Sequence, residues 1–316
     1  DGNWSVPEIV SSHEMSIPIA ATALHYGQAL FEGLKAFETV AGDVVIFRPG
    51  ENADRMTRGA RKLLMAAPPK ELFLEAVSEA VRHNLRYLPP TNSGASLYIR
   101  PLLIGTGARV GVKPADEYQF IVFVTPVGPY FKGGLKPISL RVEEEVNRAA
   151  PLGVGDIKAA GNYAAGMRAT QRAKDQGYDN VLYVDSREGN WIDETGATNF
   201  FGIKVENGNA TYVTPRSMSI LPSITNNSLM TIAKQLGMKV EHRPVPIEEL
   251  RQFSEAGCCG TAAIITPVGS IAWRGETTTF HAEGKEPGPW TRKLYETLTG
   301  IQYGRVADNN SWLLHV

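Results

Sequence analysis

Along the first part of the chain, apolar positions alternate between strand-like and helix-like spacing. Residues 44–47 (VVIF) read as a short buried strand. Beyond them Met56, Ala60 and Leu63 recur at helical intervals, with Asn52 placed to cap the helix. A second helix carries Phe73, Val77, Val81 and Leu85 and must stop before Pro89-Pro90. Strands are expected at 96–103 and 119–124, and the uncharged run 118–131 reads as a buried strand passing into a loop. The segment 125–134 (TPVGPYFKGG) is dense in Pro and Gly and is the natural connection between two domains.

Past that connection, a strand near 138–142 precedes a helix over 163–176, with Gly177 as its expected C-terminal cap. Strands at 181–184 and 199–205 flank an exposed turn at 188–190. Asn207-Gly208 lies between alternating segments and predicts a tight hairpin. A helix over 225–236 sets Leu229, Ile232, Ala233 and Leu236 on one face and ends at Gly237. No internal repeat interrupts this mixture. The pattern predicts an α/β (mixed α+β) protein, with domains at 1–125 and 135–316 joined by a loop at 126–134.

Charge narrows the possible partners. Across 316 residues, 32 Lys+Arg face 33 Asp+Glu, which argues against an extended nucleic-acid surface. No apolar run is long enough for a membrane helix, and no signal-peptide core follows the polar opening. The adjacent Cys258 and Cys259 cannot close an ordinary disulfide loop, so a reducing compartment is expected. That means the cytoplasm, or a mitochondrial matrix if the chain is a processed form. The histidines are scattered without ligand spacing, and no metal site is expected.

Five local environments carry candidate chemistry. Lys158 stands among Gly and Ala in GVGDIKAAG (153–161), where small neighbours admit a planar ligand; equally, it can be a surface lysine paired with Asp156. The turn LPSITNN (221–227) offers N–H groups and the hydroxyls of Ser223 and Thr225 to an anion, or is ordinary helix capping. Glu194 in IDETGATNFF (192–201) is either a buried functional carboxylate or a hairpin-rim residue. Tyr98 and Arg100 share one strand face, and an inward arginine needs an anionic partner. Gly260-Thr261-Ala262-Ala263 is a small-residue strand end suited to backbone contact with a ligand.

Seven segments in fixed order join these fragments: LHYGQALFEGLKAF (24–37), NADRM (52–56), SLYIRPLLIG (96–105), GDIKAAGNYAAG (155–166), DETGATNFF (193–201), LPSIT (221–225) and GTAAIITPV (260–268). Their order and spacing resemble those of branched-chain aminotransferases, over nearly the whole chain. The resemblance implies a two-domain fold-type-IV enzyme, with a small N-terminal domain, a larger C-terminal one and pyridoxal 5′-phosphate (PLP) between them. It implies transamination between leucine, isoleucine or valine and 2-oxoglutarate, through a PLP Schiff base on Lys158, and a homodimer.

The same resemblance assigns roles. Lys158 anchors the cofactor and shuttles the proton, Glu194 faces the pyridine nitrogen, and Tyr163 bonds the ring hydroxyl. Arg55, Ile224, Thr225 and Thr261 hold the phosphate. Tyr26, Phe31, Tyr98, Thr261 and Ala262 surround the substrate, and the loop 108–112 closes the pocket of a neighbouring subunit; Arg100, on the strand face of Tyr98, is the cation expected to meet the second carboxylate of glutamate. Rival readings within the fold are a D-amino-acid transaminase and an aminodeoxychorismate-type lyase; outside catalysis, a PLP-binding paralogue. The sequence departs from the family pattern at Ser223, where Gly is usual. It also has AIIT (263–266) where animal members carry a redox C-x-x-C.

Overall fold

The structure, a computed structural model, describes residues 3–128 and 135–316. The chain opens with a short helix α1 (Thr22–Tyr26) and strands β1 (Ala29–Phe31), β2 (Leu34–Glu38) and β3 (Val44–Phe47). Helices α2 (Pro49–Lys62) and α3 (Lys70–Arg82) follow, then the long pair β4 (Ser96–Gly105) and β5 (Tyr118–Val127). Next come β6 (Ile138–Glu143), α4 (Gly161–Asp175), β7 (Asn180–Val184), β8 (Ile192–Thr195), β9 (Asn199–Glu206) and β10 (Asn209–Pro215). Helix α5 (Ile224–Gln235) leads to β11 (Lys239–Arg243), β12 (Glu255–Gly260), β13 (Ile264–Trp273) and β14 (Glu276–Thr279). Helix α6 (Pro289–Gln302) and strand β15 (Leu313–His315) complete the order.

Chain contacts divide these elements into two compact units. The first comprises Asp1–Pro129, Ile157–Gly161 and Gln302–Val316; the second comprises Tyr130–Asp156 and Asn162–Ile301. The expected second domain at 135–316 therefore gives up two stretches to the first unit, because both pair with its strands rather than with their chain neighbours. Of the expected linking loop, residues up to 127 belong to β5, and 129–134 lie outside the described residues.

In unit 1, antiparallel strands run in the order β1-β4-β2-β3-β15, and β5 pairs with β4 along its whole length. Leu34, Ala36, Ile46, Leu97, Ile99 and Leu103 bury one face against Met56, Ala60, Phe73, Val77 and Val81 of α2 and α3. Ile157 and Ala159 join that same core. Unlike the buried strand read from the sequence, β5 is an edge strand whose residues are all half-buried or exposed.

Two helix boundaries also differ from the sequence reading. Pro49 fills the first turn of α2 and Arg48 is its N-cap, so Asn52 lies inside the helix and turns its side chain inward. Leu85 falls beyond α3 in a separate turn and is exposed, because the helix ends at Arg82.

Unit 2 is built on a nine-stranded sheet in which eight strands run in the order β11-β10-β9-β12-β13-β6-β7-β8 and the ninth, β14, pairs with β13. An additional pairing of β8 with β9, Glu194 opposite Asn199, closes part of it into a ring. Leu140, Val142, Leu182, Val184, Ile192, Phe200, Cys258 and Val268 form its core. Asn207 and Gly208 both take positive φ (49° and 80°), the left-handed pair that a tight β9–β10 hairpin requires. Among the described residues no helix is long and apolar enough to cross a membrane.

Candidate active site

In unit 1 the central residue is Lys158. Its flanking residues Ile157 and Ala159 are buried in the core, so alternation turns Lys158 to the opposite face. The segment is tied to β1 by an isolated β-bridge. Phe31 N–H donates to Lys158 O at 3.2 Å, Ala160 N–H donates to Ala29 O at 3.0 Å, and Leu30 bridges Ala159. The lysine amine then lies 4.6 Å from the centre of the Phe31 ring, within cation–π reach. Lys158 is half-buried, and its backbone is tied to β1.

Phe31, Tyr98 and Arg100 share that face. Arg100 donates from Nη2 to the Tyr98 hydroxyl at 3.0 Å and lies 4.6 Å from the Phe31 ring centre. Its Nε is buried with no hydrogen-bond partner among the described residues. Gly33 makes room for this arrangement, since a Cβ there would stand 2.3 Å from the Tyr98 hydroxyl. Tyr26 is exposed, and its hydroxyl donates to Val110 O in the 108–112 loop. That loop is tied back to the chain before α1 by Arg109 N–H to Ala20 O at 2.8 Å.

Arg55, also in unit 1, is buried on α2 and forms a two-pronged ion pair with Glu32, at 2.8 Å from Nε to Oε1 and 2.6 Å from Nη2 to Oε2. No sequence pattern announces Glu32 as a partner, because the residues meet only when α2 packs on the β1–β2 connection.

Unit 2 supplies the carboxylate. Glu194 sits on β8 at the ring closure and is 4% exposed, so it is not a rim residue. Its Oε1 accepts Leu221 N–H at 2.9 Å and lies 2.8 Å from Arg148 Nη2, while Asn199 Nδ2 approaches Oε2 at 3.4 Å. Arg148 also donates to the carbonyls of Gly155 and Ser219. Gly155 has to be glycine, since a Cβ there would lie 2.4 Å from Ser219 O. Nothing in the sequence pattern singles out Arg148, a lone arginine in a loop whose partners are far along the chain.

The same contacts stitch Glu194 to the start of α5. Asn199 Nδ2 donates to Leu221 O at 3.1 Å, just ahead of the helix N-cap Ser223. Ser223 adopts φ −83° and ψ 130°, open to any residue, and its hydroxyl accepts Asn226 N–H at 3.1 Å. Replacing the usual glycine therefore leaves the local backbone undistorted and adds a cap. The N–H groups of Ile224 and Thr225 belong to the first helical turn, which has no carbonyl one turn earlier to accept them. Tyr163 is half-buried in the first turn of α4. Thr261 and Ala262 form the turn between β12 and β13; Ile264, which ends it, has φ 63°, a strained value for a β-branched residue.

Unit 1 offers an amine and buried cations, and unit 2 a buried carboxylate surrounded by donors and first-turn N–H groups suited to an anion. The sequence model of the family described as amino-transferase class IV matches residues 29–271. The branched-chain-amino-acid aminotransferase of Helicobacter pylori is 46% identical over 318 residues, covering 100% of this chain and 92% of that protein. The corresponding Haemophilus influenzae protein is 47% identical over 322 residues, with coverages of 100% and 92%. Among solved structures, the Escherichia coli branched-chain amino acid aminotransferase matches with a TM-score of 0.81 at 29% identity, over 97% of this chain and 96% of that one. The Thermobaculum terrenum enzyme in its PLP form gives 0.77 at 25% identity, over 95% and 93%. With sequence and fold agreeing across the whole length, the chain belongs to the class IV aminotransferases, and within them to the branched-chain-amino-acid aminotransferases.

Proposed function

We propose that the chain transfers amino groups between leucine, isoleucine or valine and 2-oxoglutarate, with Lys158 as its catalytic residue and pyridoxal 5′-phosphate as its cofactor. When bound, the cofactor supplies the electron sink that lets an amino acid lose its Cα proton. The residues suit it. Lys158 Nζ would be its anchor, and as a free amine would carry the Cα proton of the substrate. Glu194, already surrounded by donors, would accept a hydrogen bond from the protonated pyridine nitrogen. Tyr163 bonds the ring hydroxyl, and Arg55, the first-turn N–H groups of Ile224 and Thr225, and Thr261 take the phosphate.

Tyr98 and the Thr261-Ala262 turn receive the α-carboxylate, while Tyr26 and Phe31 contribute aromatic walls for a branched side chain. Arg100 receives the second carboxylate of glutamate or 2-oxoglutarate. Its buried Nε, without a hydrogen-bond partner among the described residues, supports this role, and its stacking on Phe31 and Tyr98 gives it a resting place when the substrate is apolar.

The observation that carries this reading is the pinning of Lys158 to Phe31. Borohydride reduction followed by peptide mass spectrometry tests it. The cofactor is expected on Lys158, and label on Lys35 or Lys174 instead would refute the assignment.

A homodimer is part of the proposal. Val110 and Val112, 83% and 82% exposed in the 108–112 loop, are apolar side chains that a second subunit would cover. Sedimentation of the purified protein checks this, and a monomer at micromolar concentration would contradict it. The cytoplasm, where thiols stay reduced, suits the buried free cysteines Cys258 and Cys259.

A further inference from the structure

Glu32 is fully excluded from solvent, yet no step assigned above uses it. Among the described residues, its carboxylate contacts donors: Arg55 Nε at 2.8 Å, Arg55 Nη2 at 2.6 Å and Asn52 Nδ2 at 2.8 Å. Asn52 also reaches Gly33 O at 3.3 Å. The backbone is held equally firmly, with Glu32 N–H donating to Pro101 O at 2.8 Å. The neighbours on either side touch other parts of the site: Phe31 bonds the Lys158 backbone, and Gly33 makes room for the Tyr98 hydroxyl.

A buried ion pair is a poor device for stability alone, because apolar residues of the same volume would serve as well or better. What it does well is fix direction. A carboxylate gripping the Nε/Nη2 edge of a guanidinium sets the plane of the whole group, including the edge turned away from it. Helix α2 carries both Asn52 and Arg55, so one carboxylate locks two of its side chains.

We propose that Glu32 is a positioning residue for the cofactor phosphate, acting through Arg55. This rests on the assignment of Arg55 to the phosphate. Without Glu32 the arginine keeps its charge and loses its fixed plane, and phosphate binding then has to bear the ordering entropy of a long side chain.

The test separates the phosphate from the rest of the cofactor. The apoprotein and its variants are titrated with pyridoxamine 5′-phosphate and with pyridoxamine, which lacks the phosphate. Glu32→Gln should weaken pyridoxamine 5′-phosphate by about 10- to 100-fold, the scale of a lost charged hydrogen bond, and leave pyridoxamine unchanged. Arg55→Met should show the same selective loss. The double variant Glu32→Gln/Arg55→Met should bind the phosphate ligand no worse than Arg55→Met alone. That comparison decides the matter if Glu32→Gln by itself folds poorly.

If Arg55→Met shows no selective loss, both the phosphate assignment and the role of Glu32 fall. If Arg55→Met loses affinity and Glu32→Gln keeps it, only the role of Glu32 falls. Equal weakening of both ligands by Glu32→Gln, or a further loss in the double variant, would make Glu32 a structural residue and overturn the inference.

Discussion

Arg100 donates to the Tyr98 hydroxyl at 3.0 Å while its guanidinium lies 4.6 Å from the Phe31 ring centre. The pair gives one face both an apolar wall and a cation, as an enzyme must when it accepts leucine and glutamate in turn. Arg100→Met should slow the glutamate half-reaction by roughly 2–4 kcal/mol of transition-state free energy and the leucine half-reaction much less. Single-turnover kinetics of each half-reaction, followed through cofactor absorbance, make the comparison. Equal losses would show that Arg100 supports the α-carboxylate or the fold.

Glu194→Gln keeps the shape of the side chain and removes its charge. The amide still suits Leu221 N–H, but it forfeits the ion pair with Arg148 and cannot hold a protonated ring nitrogen. Both half-reactions should slow by about 3–4 kcal/mol, with cofactor still bound. A variant retaining most of its turnover would remove Glu194 from the catalytic machinery.

Lys35 lies on β2 with 7% exposure, and burial lowers its ammonium from 10.5 to about 8. The unfolded chain holds that proton more tightly, so stability should rise as pH climbs from about 8 to about 10.5. Below about 8 the lysine imposes a constant penalty on the order of 3 kcal/mol. Lys35→Met should therefore stabilise the protein at neutral pH and flatten this rise. Denaturant titrations of both proteins at pH 7 and pH 10 measure it, and parallel pH profiles would disprove it.

The cysteines should be chemically silent. Burial pushes the Cys258 thiol up to about 12 and holds the Cys259 thiol well above its ordinary value, and thiols without thiolate character resist mild oxidants. Peroxide at low concentration should leave activity unchanged. Inactivation reversed by dithiothreitol and abolished in Cys258→Ser or Cys259→Ser would show the opposite.

Much of the helical framework is legible in the sequence, because Phe73, Val77 and Val81, or Leu229, Ile232 and Ala233, repeat at the helical period and are buried as that period requires. Asn52 reads as a cap because its residue type favours caps, whereas Glu32 offers it a buried acceptor that only packing brings near. Lys158 stands out by its small neighbours, but the five residues 157–161, which belong with β1 in the first unit although their chain neighbours do not, have no local periodicity to announce them. Arg148 and Glu32 are invisible for a related reason. Each matters through a partner chosen by tertiary structure, and a lone charge in a loop carries no sign of that partner.

Strand β15 pairs with β3 through Leu313 opposite Phe47, so the first unit contains residues from both sides of the second. On a ribosome that elongates at about 5–20 residues per second, β3 is exposed long before its partner exists. The lysine segment arrives midway and β15 only after all of unit 2 has been synthesised. Unit 1 therefore cannot be completed in order of synthesis, and its β3 edge stays available to chaperones or to other nascent chains until translation has passed residue 315.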